Sequence, residues 1–544
     1  MQRPLFSGAA LVCLVALPAA LPAAETLQVK KPTVVVRLQP IDELLANFRY
    51  LAGLVGQEEQ ARQIEGFLKS MAGPKGIEGI DTKRPLGVYS TVGAQVIDST
   101  IVALVPVADE QALLDLLRRF EIKAEKGADG LYTVRHTNLP VPVYFRFANR
   151  YAYVTAQDES AIAKEKLLPP EQVLPPNPTA VLALNLNISS IPEAFREEAI
   201  KEFQKRLEEE KKKREPNETD IQHKFKEQFV DIIGAQMISL IRDGDAATLS
   251  LNIDRKGGEL SLDYTLTGKP GSKLAGLIAD LTKARSVVAG LVGKNSVFSL
   301  TAYAAMSEDL RQALAPVIDE AIREGLKEEK DKAKRELGEK LAKVLVPTLK
   351  AAELDLAADL RGPSAKGVYT AVAGIKVKDG AAMDQVMRDL VKEMPAEERA
   401  QVKLDVEQAG PVKIHRVDVH KHKDFDAEAR KAFGDNPLYF AFRADAVFLA
   451  LGENGLSALK EALAAPPKPV QPLRLDVSLA PLAQAATEKN VSQAAQEAFG
   501  KGKDNDKVLL LVEGGPALKL RVSVKAPVIQ FLSKVAQSRA DKEK

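Results

Sequence analysis

Residues 412–426, VKIHRVDVHKHKDFD, hold three of the chain's five histidines. In an extended strand, alternate side chains project to one side, so Asp418, His420, His422 and Asp424 would share a face. Two imidazoles and a carboxylate in that pattern suit zinc or a similar divalent ion, and an open coordination position could activate water. That chemistry would make the protein a metal-dependent hydrolase centred on His420 and His422. Lys413, Arg416, Lys421 and Lys423 oppose it, because a cation gains nothing from a cationic surround. His136 and His223 stand apart from the cluster.

The chain has no Gly-x-x-x-x-Gly-Lys phosphate cradle, no Gly-x-Gly-x-x-Gly, no His-Glu-x-x-His and no Gly-x-Ser-x-Gly. Asp243-Gly244-Asp245 lacks the remaining ligands of a calcium loop. No motif calls for a catalytic residue or a cofactor. The expectation is a noncatalytic protein.

Charge narrows the partners. Lys and Arg number 76 against 74 Asp and Glu, a balance unlike the basic excess that nucleic-acid binding requires. Tryptophan is absent and aromatics make up 5% of residues, too few for extensive stacking platforms. The partner expected is instead an unidentified protein or a component of the cell envelope.

Residues 1–24 carry the layout of a secretory signal: Arg3, an apolar run from Leu5 to Leu17, then ALPAALPAA. The run is too short to span a bilayer, which takes about 20 apolar residues. Its removal takes with it Cys13, the only cysteine, leaving a mature chain without thiols or disulfides. The compartment expected is outside the cytoplasm, periplasmic or envelope-associated, with no transmembrane span after cleavage.

Repetition reveals the organisation. PVYFRFANRYAYVTA begins at residue 142 and PLYFAFRADAVFLAL at residue 437, matching Pro142 to Pro437, Tyr144 to Tyr439, Phe145 to Phe440 and Phe147 to Phe442. Each phrase predicts a β-hairpin turning near Asn149-Arg150 or Ala444-Asp445. Upstream, IVALVPVADEQALLDLLRRF matches AVAGIKVKDGAAMDQVMRDL, a strand and then a helix capped by Asp109 or Asp379. Proline-rich joints, LPPEQVLPPNP and APPKPVQP, follow each hairpin, and a strand follows each joint.

The expected fold is α+β: two tandem copies, residues 25–288 and 289–538, each a mainly antiparallel sheet covered on one face by helices, then a polar tail at 539–544. The first copy adds a charged helical hairpin at about 190–240, with a possible capping box from Ser190 to Glu193. The second opens with one long helix over about 307–349.

GIDTKRPLGVYSTVG leading into a strand and helix, with the later YFRFANRYAYVTA hairpin, resembles large exported bacterial proteins that carry a repeated domain of unknown function. The resemblance implies an exported α+β protein and transfers no site residue. The leading functional expectation is a noncatalytic envelope scaffold for binding or interaction. A periplasmic carrier of an apolar ligand is the alternative, although the abundant Leu, Val and Ala are expected to fill a solid core.

Overall fold

A computed structural model describes residues 31–72, 77–93, 99–135, 141–156, 158–175, 177, 179–216, 218–328, 332–422, 425–486, 488–500 and 504–543. The signal-like residues 1–24, His136 and Asp424 lie outside these. The chain divides into two compact units, residues 1–45 with 64–199, and residues 46–63 with 200–544.

The strands of the first unit are β1 (Val34–Leu38), β2 (Leu86–Thr91), β3 (Thr100–Pro106), β4 (Ala124–Lys126), β5 (Tyr132–Val134), β6 (Val143–Ala148), β7 (Tyr151–Ala156) and β8 (Ala180–Asn187). They pair antiparallel in the order β8-β1-β2-β3-β7-β6-β5-β4. Asn149 and Arg150 turn the β6–β7 hairpin with φ of 52° and 63°, the mirror-image turn that suits the strands' twist. Asp109 accepts a bond from the Ala112 amide and so caps the helix Glu110–Arg119. One sheet face packs Val35, Tyr89, Val102, Leu104 and Tyr153 against Ile162, Val173 and Leu174 from the segment after β7.

In the second unit the strands are β9 (Gly244–Asp254), β10 (Glu259–Gly268), β11 (Arg285–Ser286), β12 (Ser296–Ala305), β13 (Glu353–Arg361), β14 (Thr370–Lys376), β15 (Val402–Ala409), β16 (Val412–Val417), β17 (Leu438–Arg443), β18 (Ala446–Gly452), β19 (Lys468–Pro469), β20 (Leu473–Ser478), β21 (Lys507–Glu513) and β22 (Leu518–Lys525). Apart from the small β11–β19 pair, the antiparallel order is β9-β10-β22-β21-β20-β12-β13-β14-β18-β17-β16-β15. Its stretch β20-β12-β13-β14-β18-β17-β16-β15 repeats the strand order of the first unit. Register matches as well: Val88 pairs Ala103 and Ala103 pairs Val154 in one unit, as Ala358 pairs Ala373 and Ala373 pairs Leu449 in the other. Asp379 caps the helix Gly380–Glu393 through the Ala382 amide.

Three expected local features differ. Two helices, Glu308–Glu328 and Lys332–Ala351, stand where one long helix was expected. They fold back on each other, Gly338 meeting Leu326 and Lys350 bonding Asp319 at 2.6 Å. Folding back lets their two apolar stripes face each other, whereas a single helix would leave both stripes wet. The charged hairpin comprises Glu193–Lys212 and Asp220–Asp243, and its capping box is Thr219 with Gln222. Ser190 instead bonds Thr33 and the Asn187 carbonyl, because it sits in a separate 3₁₀ turn. The polar tail continues the helix Ala526–Glu543, held by Asn490–Ser538 and Arg539–Glu488 contacts.

Candidate functional site

The histidine-rich stretch does not stay extended. After β16 the chain turns, Lys421 N donating to the Asp418 carbonyl and His422 N to that of Val419, so the alternation needed to align Asp418, His420 and His422 is lost. Asp418 is buried, and its carboxylate accepts from Arg416 Nε at 2.7 Å and Lys421 Nζ at 3.2 Å. Burial pushes its pKa up, but the two cations outweigh burial and hold the group below its ordinary range. The Asp418 oxygens thus already serve internal ion pairs. Among the described residues no group of three or more His, Cys, Asp or Glu is placed to hold a metal.

The first histidine of the stretch lies within a strand. His415 is 1% exposed on β16. The Asp405 amide donates to its Nδ1 at 3.1 Å, so the ring proton sits on Nε2 and is donated to Asp384 at 3.0 Å. Asp405 adopts φ of 56° at an irregularity in the β15–β16 pairing, which aims its amide at the ring. Arg388 binds both carboxylates, and with Lys413 it holds Asp405 down to about 2. His415 leans on Phe440 at 5.0 Å, and at the same register position of the first unit Tyr132 stacks on Phe145 at 4.8 Å. With both nitrogens engaged, this ring fastens the helix Gly380–Glu393 to the sheet and has no free nitrogen for chemistry. Asp384, with which it pairs, lies 31 residues away, beyond the reach of a local motif.

Burial is the largest influence on His415 and lowers its pKa, with Asp384 opposing. The unfolded chain therefore binds this proton more readily than the folded one. Stability is full above the ordinary histidine value of about 6.5 and declines as pH falls below it toward the lower folded value. His415→Gln should flatten that decline, read as urea midpoints at neutral pH and at progressively lower pH.

A larger feature is the open face of the second unit's sheet. Directly paired residues point the same way. Following the pairs from β9 gives Leu251, Leu262, Val522, Leu510 and Leu475, and then Leu300, Ala358, Ala373 and Leu449, an unbroken aliphatic row across nine strands. At about 4.8 Å per strand the row runs roughly 38 Å. The flanking rows are apolar too, including Tyr264, Leu520 and Leu356 on one side and Val477, Phe298 and Leu360 on the other. Helices of the C-terminal segment reach Val508 and Val524. Elsewhere Leu251, Leu262, Val522, Leu354, Ile375 and Leu449 are 39–46% exposed.

The opposite face is built for cover or for water. Over β13, β14 and β18 it buries Ala357, Val372, Phe448 and Ala450 beneath the helix Gly455–Ala464. Two carboxylates of β13 also point inward: Asp355, fully buried, accepts from Ser286 at 2.5 Å and the Val287 amide at 2.8 Å, anchoring the covering segment. Asp359 accepts from Arg361 at 2.8 Å and the Gly293 amide at 2.9 Å. Burial raises the Asp355 pKa, which Ser286 and Val287 only partly offset. Over β10 and β22 the same side carries Asp263, Glu259, Arg521 and Lys525 in ion pairs. β13 thus turns aspartate inward and leucine outward.

Where Ala358, Ala371 and Ala373 lie between Phe298, Leu360, Leu438, Leu449 and Leu451, the small side chains leave a trough of about 320 Å³. That is near the lower end of ligand-site volumes, about 300–1,000 Å³. Every side chain rising into it is apolar, and the strand amides beneath are paired in the ladder.

No protein-family model and no curated protein matches the chain. One solved structure, described as crystal form IV of TP0453, aligns over 44% of this chain and 77% of its own at 12% identity, with a TM-score of 0.21, a likeness that carries no argument.

Proposed function

We propose that the protein is a noncatalytic exported binding protein whose open apolar sheet face takes a hydrocarbon chain. The observation that carries this is the unbroken aliphatic row from Leu251 to Leu449, exposed at Leu251, Leu262, Val522 and Leu449 and half-buried between them, with Asp355 and Asp359 of β13 turned to the covered side. Apolar surface left part-exposed over such a length marks a binding site. The occupant follows from chemistry. A protein partner forms about one hydrogen bond per 100–200 Å² of interface, and the central row with its trough supplies no side-chain donor or acceptor. A hydrocarbon needs none.

Export rests on the signal-like residues 1–24. No described helix is long and apolar enough to cross a membrane. We also read the chain as two copies of one unit, a reading supported by the matching strand order and register; the charged helices between strands are additions to that plan.

Native mass spectrometry of protein released gently from its own cell envelope tests the carrier reading. A reproducible lipid-sized mass excess, together with saturable binding of a fluorescent long-chain fatty acid, is expected. A bare polypeptide mass with no saturable binding would return the open face to a protein partner.

A further inference from the structure

We infer that the first unit holds a second, shallower site for the same hydrocarbon class, so that one chain carries two ligand molecules. This rests on the carrier reading for the second unit. Pairing in the first unit runs Leu184, Val36, Val88 and Ala103, an apolar row at the register positions of Leu475, Leu300, Ala358 and Ala373, before it passes under the helix Glu110–Arg119 at Val154 and Phe145. Over β8, β1, β2 and β3 this face is open as well: Leu38, Val88, Leu182 and Ile101 are 36%, 36%, 38% and 64% exposed. The opposite side of the same strands is the covered one, holding Val35, Tyr89, Val102 and Leu104.

The occupant is again a hydrocarbon chain, because the row presents no polar side chain and its backbone is paired. Depth differs for a definable reason. The floor of the second unit's trough is Ala358, Ala371 and Ala373. The matching positions in the first unit are Val88, Ile101 and Ala103, since Ser90 pairs Ile101 as Leu360 pairs Ala371. Two branched side chains stand where the second unit has methyl groups. Ile101, the most exposed of the four, occupies the register position of Ala371 on the trough floor, and fewer carbon contacts mean weaker binding.

The test is titration of the purified protein with a fluorescent long-chain fatty acid, with native mass spectrometry to count bound molecules. Wild type should bind two, in a tighter and a weaker class. Ala371→Ile should weaken the tighter class at least tenfold and leave the weaker unchanged. Ile101→Ala should tighten the weaker class severalfold and leave the tighter unchanged. Melting curves establish that both variants fold. A single bound molecule, lost in Ala371→Ile and indifferent to Ile101→Ala, overturns the second site while the carrier reading stands. No bound molecule at any concentration sinks both.

Discussion

Replacing Phe448 with alanine will destabilise the second unit by about 3–5 kcal/mol, the usual cost of emptying a packed aromatic site. Leu449→Ala, one residue further on, will cost about 1 kcal/mol or less, in the range of substitutions away from a core. Phe448 is fully buried beside Val372 and Leu459, whereas Leu449 is 44% exposed on the other side of the strand. Denaturant midpoints of the two variants measure the difference directly. Equal, large losses would mean that both faces of β18 are covered in solution, and the open face would not exist.

A charge on the open face separates binding from folding more sharply. Leu449→Glu should reduce fatty-acid affinity at least 100-fold while leaving the melting temperature almost unchanged. Desolvating a carboxylate beneath a hydrocarbon chain costs several kcal/mol, and 100-fold corresponds to about 2.7 kcal/mol. Without ligand the same carboxylate remains hydrated, because the face is open to water. Paired titration and melting measurements read both quantities. Unchanged affinity would remove Leu449 and the trough from the site, and collapse of the fold would show that the position is core.

The charged helices carry no part of this site. Phe225 and Phe229 stack at 6.3 Å on the helix Asp220–Asp243, and both are about half exposed. Lys211–Asp231 and Arg214–Asp220 contacts tie that hairpin together. Such surface pairs are worth little individually, so packing such as Leu207 against Gly234 does more to hold the arms together.

Local order was written plainly in the chain. The Phe145/Phe147 and Phe440/Phe442 phrases specify hairpins, and Asp109 and Asp379 specify helix starts. These depend on neighbours in sequence, so period and capping chemistry suffice to read them. The histidine cluster misled because its alignment assumed an extended strand, and a single turn at Asp418 undid it. His415, a few residues earlier, gave no local sign of its role because Asp384 and Asp405 reach it only through the fold.

Sidedness was the larger matter that only tertiary structure decided. ELDLAADL in β13 alternates leucine with aspartate, and alternation by itself says that the strand has two unlike faces. It does not say which face is covered. Leucine inward and aspartate outward is the ordinary assignment, and the structure reverses it: Asp355 is fully buried and Leu354 is 43% exposed. The reversal depends on Ser286, Val287 and Gly293, which come from a distant segment and satisfy the two carboxylates. Those bonds let the covering layer sit on the aspartate side and leave the aliphatic rows open. A period-two pattern fixes the spacing of side chains, whereas the layer that packs above them determines which side meets water.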